Sequence, residues 1–184
     1  MLNNVVIMKK AIIFLGMLAV SPALASEHSI GVKIGGGGIS GTQAEQASDL
    51  QFGFQLDYSY FLTSNYAVEL GMIANGSMPI ISALFDDKTA SYSSYFTGVR
   101  ASHNISTNWS IYAKGGVGFA VVEETGLGKN SDYNETIAKL SPYVGIGTEY
   151  RLSENIALSS DIRFDSLPSN YQGTSLMLGI NFYI

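Results

Sequence analysis

Eight charged residues share one property that bears on chemistry: each occupies a polar position in a segment where apolar and polar residues alternate. They are the carboxylates Asp57, Glu69, Glu149 and Asp161 and the cations Lys33, Arg100, Lys114 and Arg163. Paired carboxylates can act as general acid and base, whereas equal numbers of opposite charges are typical of a closed core in which buried charges pair. We predict the second arrangement, an interior ionic network, because a narrow closed interior admits little substrate.

Other groups that support catalysis are scarce. His28 and His103 are the two histidines, and neither has the His-x-Glu or Glu-x-x-His spacing of a zinc site. The absence of cysteine excludes a thiol nucleophile and a thiolate metal site. The glycine run 35–38 lacks the Lys-Ser/Thr of a phosphate loop, and we expect it to be a flexible exit from a strand. The sequence therefore predicts no catalytic residue, no metal and no cofactor.

The composition limits the fold and the partners. The chain has 184 residues, 46% hydrophobic and 14% charged, which suits a single domain. A net charge of −5 argues against nucleic-acid binding, which requires clustered Lys and Arg. The 20 Gly and 11 Tyr favour many strands and turns over a helical enzyme.

Residues 1–25 are interpreted as a secretory signal peptide. Two lysines, 9 and 10, precede an apolar run from 11 to 20, and Ala23-Leu24-Ala25 supplies a cleavage site. The run is too short to span a bilayer, which takes about 20 apolar residues. We predict cleavage after Ala25 and a barrel domain over 26–184, with Met1 and Met8 both open as translation starts.

The rest of the chain alternates with a period of two. From Leu50 to Tyr60 every second residue is apolar, and the polar positions between them begin at Gln51 and end at Ser59. The same pattern recurs in eight segments, most of them near the 9–11 residues that cross a membrane at a tilt. The sequence therefore predicts an all-β, eight-stranded antiparallel transmembrane β-barrel.

The lengths of the connections predict the topology. The turns after the second, fourth and sixth segments are short, at 62–65, 105–108 and 153–155. The connections after the odd segments are longer, at 36–48, 76–91, 123–138 and 165–173. Short periplasmic turns that alternate with long extracellular loops are typical of outer-membrane barrels, so we expect both ends of the mature chain in the periplasm.

A soluble lipocalin-like barrel is the structural alternative, and it would place the apolar positions inside. The polar positions hold most of the glycine and all eight network charges, as a narrow polar interior requires. The apolar positions are almost free of charge, as contact with lipid requires. Aromatic residues at the ends of the strands predict two membrane-interface girdles. One contains Tyr58, Tyr60, Tyr66, Trp109, Tyr150 and Phe182, and the other contains Tyr92, Tyr95, Phe119 and Phe164.

With this architecture, and with the segments 60–71 (YFLTSNYAVELG) and 150–158 (YRLSENIAL), the chain resembles the small OmpA-type barrels, including the OmpX and Ail group. The last strand resembles the family's signal for the barrel-assembly machinery, with Gly179, Phe182 and a terminal Ile184 where the family usually has Phe. The resemblance implies an outer-membrane location in contact with lipid and lipopolysaccharide. We expect no peptidoglycan-binding domain after the barrel, so the resemblance does not imply wall anchoring.

By analogy with this family, we expect a non-enzymatic surface protein that serves adhesion, host-factor binding or envelope integrity. The loops are the expected recognition elements, with an extracellular ligand contacted by Met78, Ile80, Ile81, Leu84 and Phe85. A lipid A-modifying barrel enzyme is the main alternative, although His103 falls at the end opposite to that substrate. A narrow solute channel is the third.

Overall fold

The computed structural model describes residues 27–40, 51–77, 88–126, 134–168 and 171–184. Eight strands form one closed antiparallel barrel in which each strand pairs with its neighbour in sequence and β1 pairs with β8. The strands are β1 (His28–Ser40), β2 (Gln51–Phe61), β3 (Tyr66–Ser77), β4 (Lys88–Asn104), β5 (Trp109–Gly126), β6 (Asn134–Arg151), β7 (Ile156–Ser166) and β8 (Gln172–Tyr183). The predicted eight-stranded antiparallel barrel is confirmed. Among the described residues, no helix has the length and apolar character needed to cross a membrane.

The two faces of the wall differ as the alternation predicts. Leu70, Val117 and Ile146 point outward and are 40%, 49% and 62% exposed. Glu69 and Lys114, on the same strands as Leu70 and Val117, point inward and are 2% and 5% exposed. The barrel therefore has an apolar outer belt around a polar interior, the reverse of a lipocalin.

The short connections build one end of the barrel with a repeated turn. In each turn, the first residue donates its backbone N–H to the carbonyl of the residue that begins the next strand: Leu62 to Tyr66, Ile105 to Trp109 and Leu152 to Ile156, at 2.8–2.9 Å. The start of β1 and the end of β8 lie at this same end. We call it the short-turn end, and the opposite end the loop end.

Several predicted loop bounds were wrong at the loop end. The expected loops 76–91 and 123–138 contain strand residues, because β4, β5 and β6 are 17 or 18 residues long whereas the other strands have 11 to 13. The glycine run 35–38 lies within β1 and is not a flexible exit: all four residues pair with β8, and 35–37 also pair with β2. The carbonyl of Leu176 would lie 1.9 Å from a Cβ at Gly35, so glycine permits this close approach of β8.

Glycines also make room for the large inward side chains. A Cβ on Gly98 would lie 2.3 Å from the Tyr143 hydroxyl, and one on Gly147 would lie 2.5 Å from Tyr112 Cζ. Each ring thus lies over a residue without a side chain: Tyr112 of β5 over Gly147 of the neighbouring β6, and Tyr143 of β6 over Gly98 of β4, two strands away. An eight-stranded barrel has just enough interior for side chains, so these glycines allow bulky and charged residues to fill it.

Candidate functional site

The barrel interior contains most of the sequence-predicted site residues, arranged in three clusters along the axis. The central cluster is built around Asp161, whose two carboxylate oxygens lie 2.9 Å from Lys33 Nζ and 2.8 Å from Lys114 Nζ. Lys33 Nζ also lies 3.2 Å from Asp57, which accepts a second hydrogen bond from Gln55 at 2.7 Å. Two cations and two carboxylates from four strands therefore pair in the middle of the barrel.

A second cluster lies nearer the short-turn end. Arg100 Nη2 is 3.1 Å from Glu149 Oε2, and the Arg100 guanidinium carbon lies 4.0 Å from the centre of the Tyr112 ring. Glu149 also accepts hydrogen bonds from Asn181 Nδ2, at 2.6 Å, and from the Tyr183 hydroxyl. This carboxylate is held by donors from two other strands, which suits a fixed structural group better than a mobile catalytic one.

The third cluster, towards the loop end, contains a partner that the sequence analysis missed. Arg163 forms a bidentate pair with Asp165, through Nη2 at 2.7 Å and Nε at 3.0 Å. Its guanidinium also lies over the Tyr143 ring at 3.8 Å and the Phe96 ring at 4.2 Å. Asp165 was missed because the sequence analysis assigned it to the predicted loop 165–173. Its position two residues after Arg163, on the same face of a strand, is the signal that could have identified it.

Glu69 differs from the other interior carboxylates. Its side chain is buried, yet within the described part of the chain no cationic nitrogen lies within 4.0 Å of it. Ser59 Oγ donates a long hydrogen bond to it at 3.5 Å. With Asp165 included, the described interior holds five carboxylates and four cations, so the predicted balance of four against four needs correction.

An apolar layer covers the interior at the loop end. We call it the apolar cap; its buried residues are Ile39, Ile73, Tyr92, Val122, Leu167, Tyr171 and Met177. Tyr92 was predicted to belong to the outer aromatic girdle, but it points inward and its hydroxyl donates to Asp165 at 3.4 Å. The cap was missed because the predicted strands stopped too early, although Ile39, Ile73 and Val122 continue the inward positions of their strands.

The arrangement gives little support to interior catalysis. The acidic groups are tied to cations or to hydrogen-bond donors, and no group of three or more His, Cys, Asp or Glu in the described ranges could hold a metal ion. His28 lies near the short-turn end, with its Nδ1 at 2.6 Å from the Tyr58 hydroxyl. His103 is exposed on the outward side of β4 at the same end. The structure brings neither histidine to the interior carboxylates.

The candidate recognition region lies at the loop end. The loop residues Met78, Ile80, Ile81, Leu84 and Phe85 lie outside the described residues. Among the described residues, segments 88–91, 122–126 and 134–142 form what we call the projecting sheet. In the described structure β3 and β4 last pair at Asn75 and Tyr92, and β6 and β7 at Tyr143 and Asp165. The ends of β4, β5 and β6 therefore extend beyond the other strands.

Beyond Tyr143, the β6 edge of the projecting sheet pairs with no strand among the described residues. Arg151 N donates towards the β5 side, to Asn108 O at 2.8 Å, and the β5–β6 register continues without interruption to Asn134. Because successive residues face opposite sides of a strand, the N–H groups of Thr136, Ala138 and Leu140 point away from β5. Pro142 stands on this same side and has no N–H, and pairing to β7 ends beside it.

Comparison with protein-family models matches residues 11–183 to the outer membrane protein beta-barrel domain. The fold is similar to that of Ail, the attachment invasion locus protein of Yersinia pestis, with a TM-score of 0.63 and 17% identity over 88% of this chain and 100% of that one. It is also similar to Neisserial surface protein A, with a TM-score of 0.71 and 11% identity over 88% and 99%.

Ail in complex with the heparin analogue sucrose octasulfate matches with a TM-score of 0.61 and 18% identity, over 88% of this chain and 100% of that one. Comparison with curated protein sequences gives no match. At these identities the structural likeness shows the fold alone.

The family match and the geometry agree. A closed barrel with an apolar outer belt satisfies its backbone hydrogen bonds without water, which is what a β-structure in a bilayer requires. The family places such barrels in the outer membrane, where the belt contacts lipid. The chain therefore belongs to the outer membrane protein beta-barrel domain family.

Proposed function

We propose that this barrel is a non-enzymatic surface protein whose loop end faces the outside of the cell and recognises a partner. The short turns and the chain ends then lie in the periplasm. The projecting sheet carries this proposal, because the described ends of β4, β5 and β6 extend beyond the last β3–β4 and β6–β7 pairs. Attachment, for which Ail is named, is the role we favour, with host-factor binding and envelope integrity as related roles.

The charge of the long connections bears on the chemistry of the partner. Segments 41–50, 78–87 and 127–133 contain the acids Glu45, Asp49, Asp86, Asp87 and Asp132 and one base, Lys129. The Ail complex contains a polyanion, sucrose octasulfate, which an acidic surface would repel. We therefore favour a partner with a cationic surface.

The open edge of β6 supplies a second mode of contact. Since no described strand pairs with β6 here, the N–H groups of Thr136, Ala138 and Leu140 can donate to the carbonyl groups of an extended partner strand. Main-chain pairing of this kind gives affinity without requiring a deep pocket. A partner strand would end at Pro142, which offers no donor.

Loop deletions test the recognition proposal. We expect deletion of 78–87, and separately of 126–134, to reduce binding to host cells or to immobilised cationic protein while the barrel still folds. Cell-binding assays measure the first effect, and the difference in gel mobility between boiled and unboiled samples measures the second. Unchanged binding with an intact barrel in both deletions would contradict the proposal.

Two proline variants test the contribution of the edge. Ala138→Pro removes a donor on the open side and should weaken partner binding while leaving β5–β6 pairing in place. Lys139→Pro removes a donor on the β5 side and should disrupt the projecting sheet itself. Binding by Ala138→Pro at the level of the unchanged protein would exclude strand addition at this edge.

The proposal also predicts the behaviour of the two alternatives. The interior clusters and the apolar cap fill the barrel, so planar-bilayer recordings should show no large, stable pores. Purified protein should leave lipid A unmodified, because His103 lies at the short-turn end. Stable conductance would favour a channel, and deacylation or acylation of lipid A would favour an enzyme.

A further inference from the structure

The outer belt is interrupted by a groove that none of the roles above uses. It has a volume of about 620 Å³ and crosses β4 to β8, from His103 near the short-turn end to Leu176. This volume falls within the range of about 300–1,000 Å³ typical of ligand pockets. We propose that the groove holds one acyl chain of a glycerophospholipid from the membrane leaflet at the short-turn end.

Two cross-strand pairs of small residues create the depression. Ala101 pairs with Ala113, and Thr148 pairs with Ser160, all on the outward face. Small partners opposite each other leave the wall thin where large pairs would fill it. Four larger side chains around them form the sides of the groove: Ile111, Ile146, Ile162 and Leu176.

The end of the groove at the membrane interface has polar groups suited to a phosphate. His103 and Tyr66 are both exposed there, on strands paired to each other, and Tyr66 lies opposite Ala101. In the described structure neither side chain forms a hydrogen bond with the protein, so an imidazole N–H and a phenol O–H remain for an acceptor. The neighbouring ring pair of Trp109 and Tyr150, 5.6 Å apart, marks the headgroup level.

An acyl chain fits this surface better than a second copy of the barrel. The lining of the groove is mostly apolar, as hydrocarbon requires. A barrel wall is convex, so a second copy would touch the sides of the groove and leave its floor empty. A flexible chain that enters from the surrounding lipid can follow the floor along its length.

The single tryptophan of the chain provides a local probe. Trp109 Nε1 donates to Thr148 Oγ1 at 2.5 Å, and Thr148 lines the groove. We expect phosphatidylglycerol with brominated acyl chains, mixed into phosphatidylglycerol vesicles, to quench Trp109 fluorescence more than random mixing around the barrel predicts. Native mass spectrometry of detergent-solubilised protein should show one retained phosphatidylglycerol per chain.

Filling the groove should weaken both signals. Ala113→Phe, and independently Ala101→Leu, should lower the affinity for the retained lipid about tenfold, equivalent to about 1.4 kcal/mol. Because both side chains point into lipid, the barrel should still fold, as gel mobility will show. Ala74→Phe, an outward alanine on β3 away from Trp109, is the matched control and should change neither signal.

The headgroup contact has its own variant. His103→Ala should weaken retention of phosphatidylglycerol but leave quenching by brominated hydrocarbon without a phosphate, such as a brominated fatty alcohol, unchanged. Absence of a retained lipid, retention that Ala113→Phe and Ala101→Leu leave unaffected, or a dimer that these variants dissociate would each overturn the proposal.

Discussion

The inward and outward faces of the same eight strands carry charge under different rules. Inside, Asp161 is fully buried and tolerated because Lys33 and Lys114 lie within 2.9 Å of its oxygens. Outside, positions such as Val144 are 62% exposed to the surroundings of the barrel but carry no charge. The difference teaches that burial alone does not exclude charge; what matters is whether a partner of opposite charge lies within reach.

The largest effect is expected from Asp161→Asn. The substitution keeps the shape but leaves two buried ammonium groups without their shared carboxylate, so unfolding should become easier by about 3–5 kcal/mol. Denaturant titration of the barrel in lipid vesicles measures the change in the free energy of unfolding. Glu154→Gln in an exposed short turn is the control, and a loss below about 1 kcal/mol for Asp161→Asn would break the comparison.

A charge placed on the outward face should cost somewhat less. Val144→Arg puts a guanidinium against hydrocarbon, and about 2–4 kcal/mol of stability should be lost if this position lies near the bilayer midplane. Thr136→Arg lies on the same strand but in the projecting sheet. In the same titration, its free energy of unfolding should differ from that of the unchanged protein by no more than about 0.5 kcal/mol. Equal stability for the two variants would show that β6 does not cross the bilayer where we place it.

Alanine substitutions at two glycines test how much space each face of the wall has for a side chain. Gly98→Ala places a methyl group 2.5 Å from the carbonyl oxygen of Gly115 and close to Tyr143, and should cost about 1–3 kcal/mol. Gly115→Ala points outward, where the nearest atom is 3.4 Å away, and should have little effect. The same denaturant titration measures the free energy of unfolding of both variants. A larger loss of stability for Gly115→Ala than for Gly98→Ala would contradict the packing described.

The smallest interior effect is expected from Glu69→Gln. No cation of the described interior lies within 4.0 Å of this carboxylate, so the variant breaks no ion pair and removes a charge that is costly to bury. We expect stability to change by less than about 1 kcal/mol, in either direction. A loss as large as that of Asp161→Asn would mean that Glu69 has a charge partner after all.

The sequence predicted the faces of the strands far better than the contacts between them. Alternation placed Lys33 and Asp161 on the inward face, because a period of two depends on the local sequence alone. That these two pair is set by barrel closure, which joins strands 128 residues apart in the chain. The apolar cap was missed for a related reason, since Leu167 and Tyr171 reach the interior through a turn whose backbone hydrogen bonds leave no periodic signal.

The contact between β1 and β8 makes the molecule a single cooperative unit. Its register runs from Ser29–Tyr183 to Ser40–Gln172, as long as most other pairings in the barrel. β1 cannot pair with β8 until β8 has been added to the chain. Forming this pairing therefore joins residues that are separated by almost the whole domain in the sequence. A chain truncated before β8 would have two bare edges and would also lack Asn181 and Tyr183, two of the donors that hold Glu149.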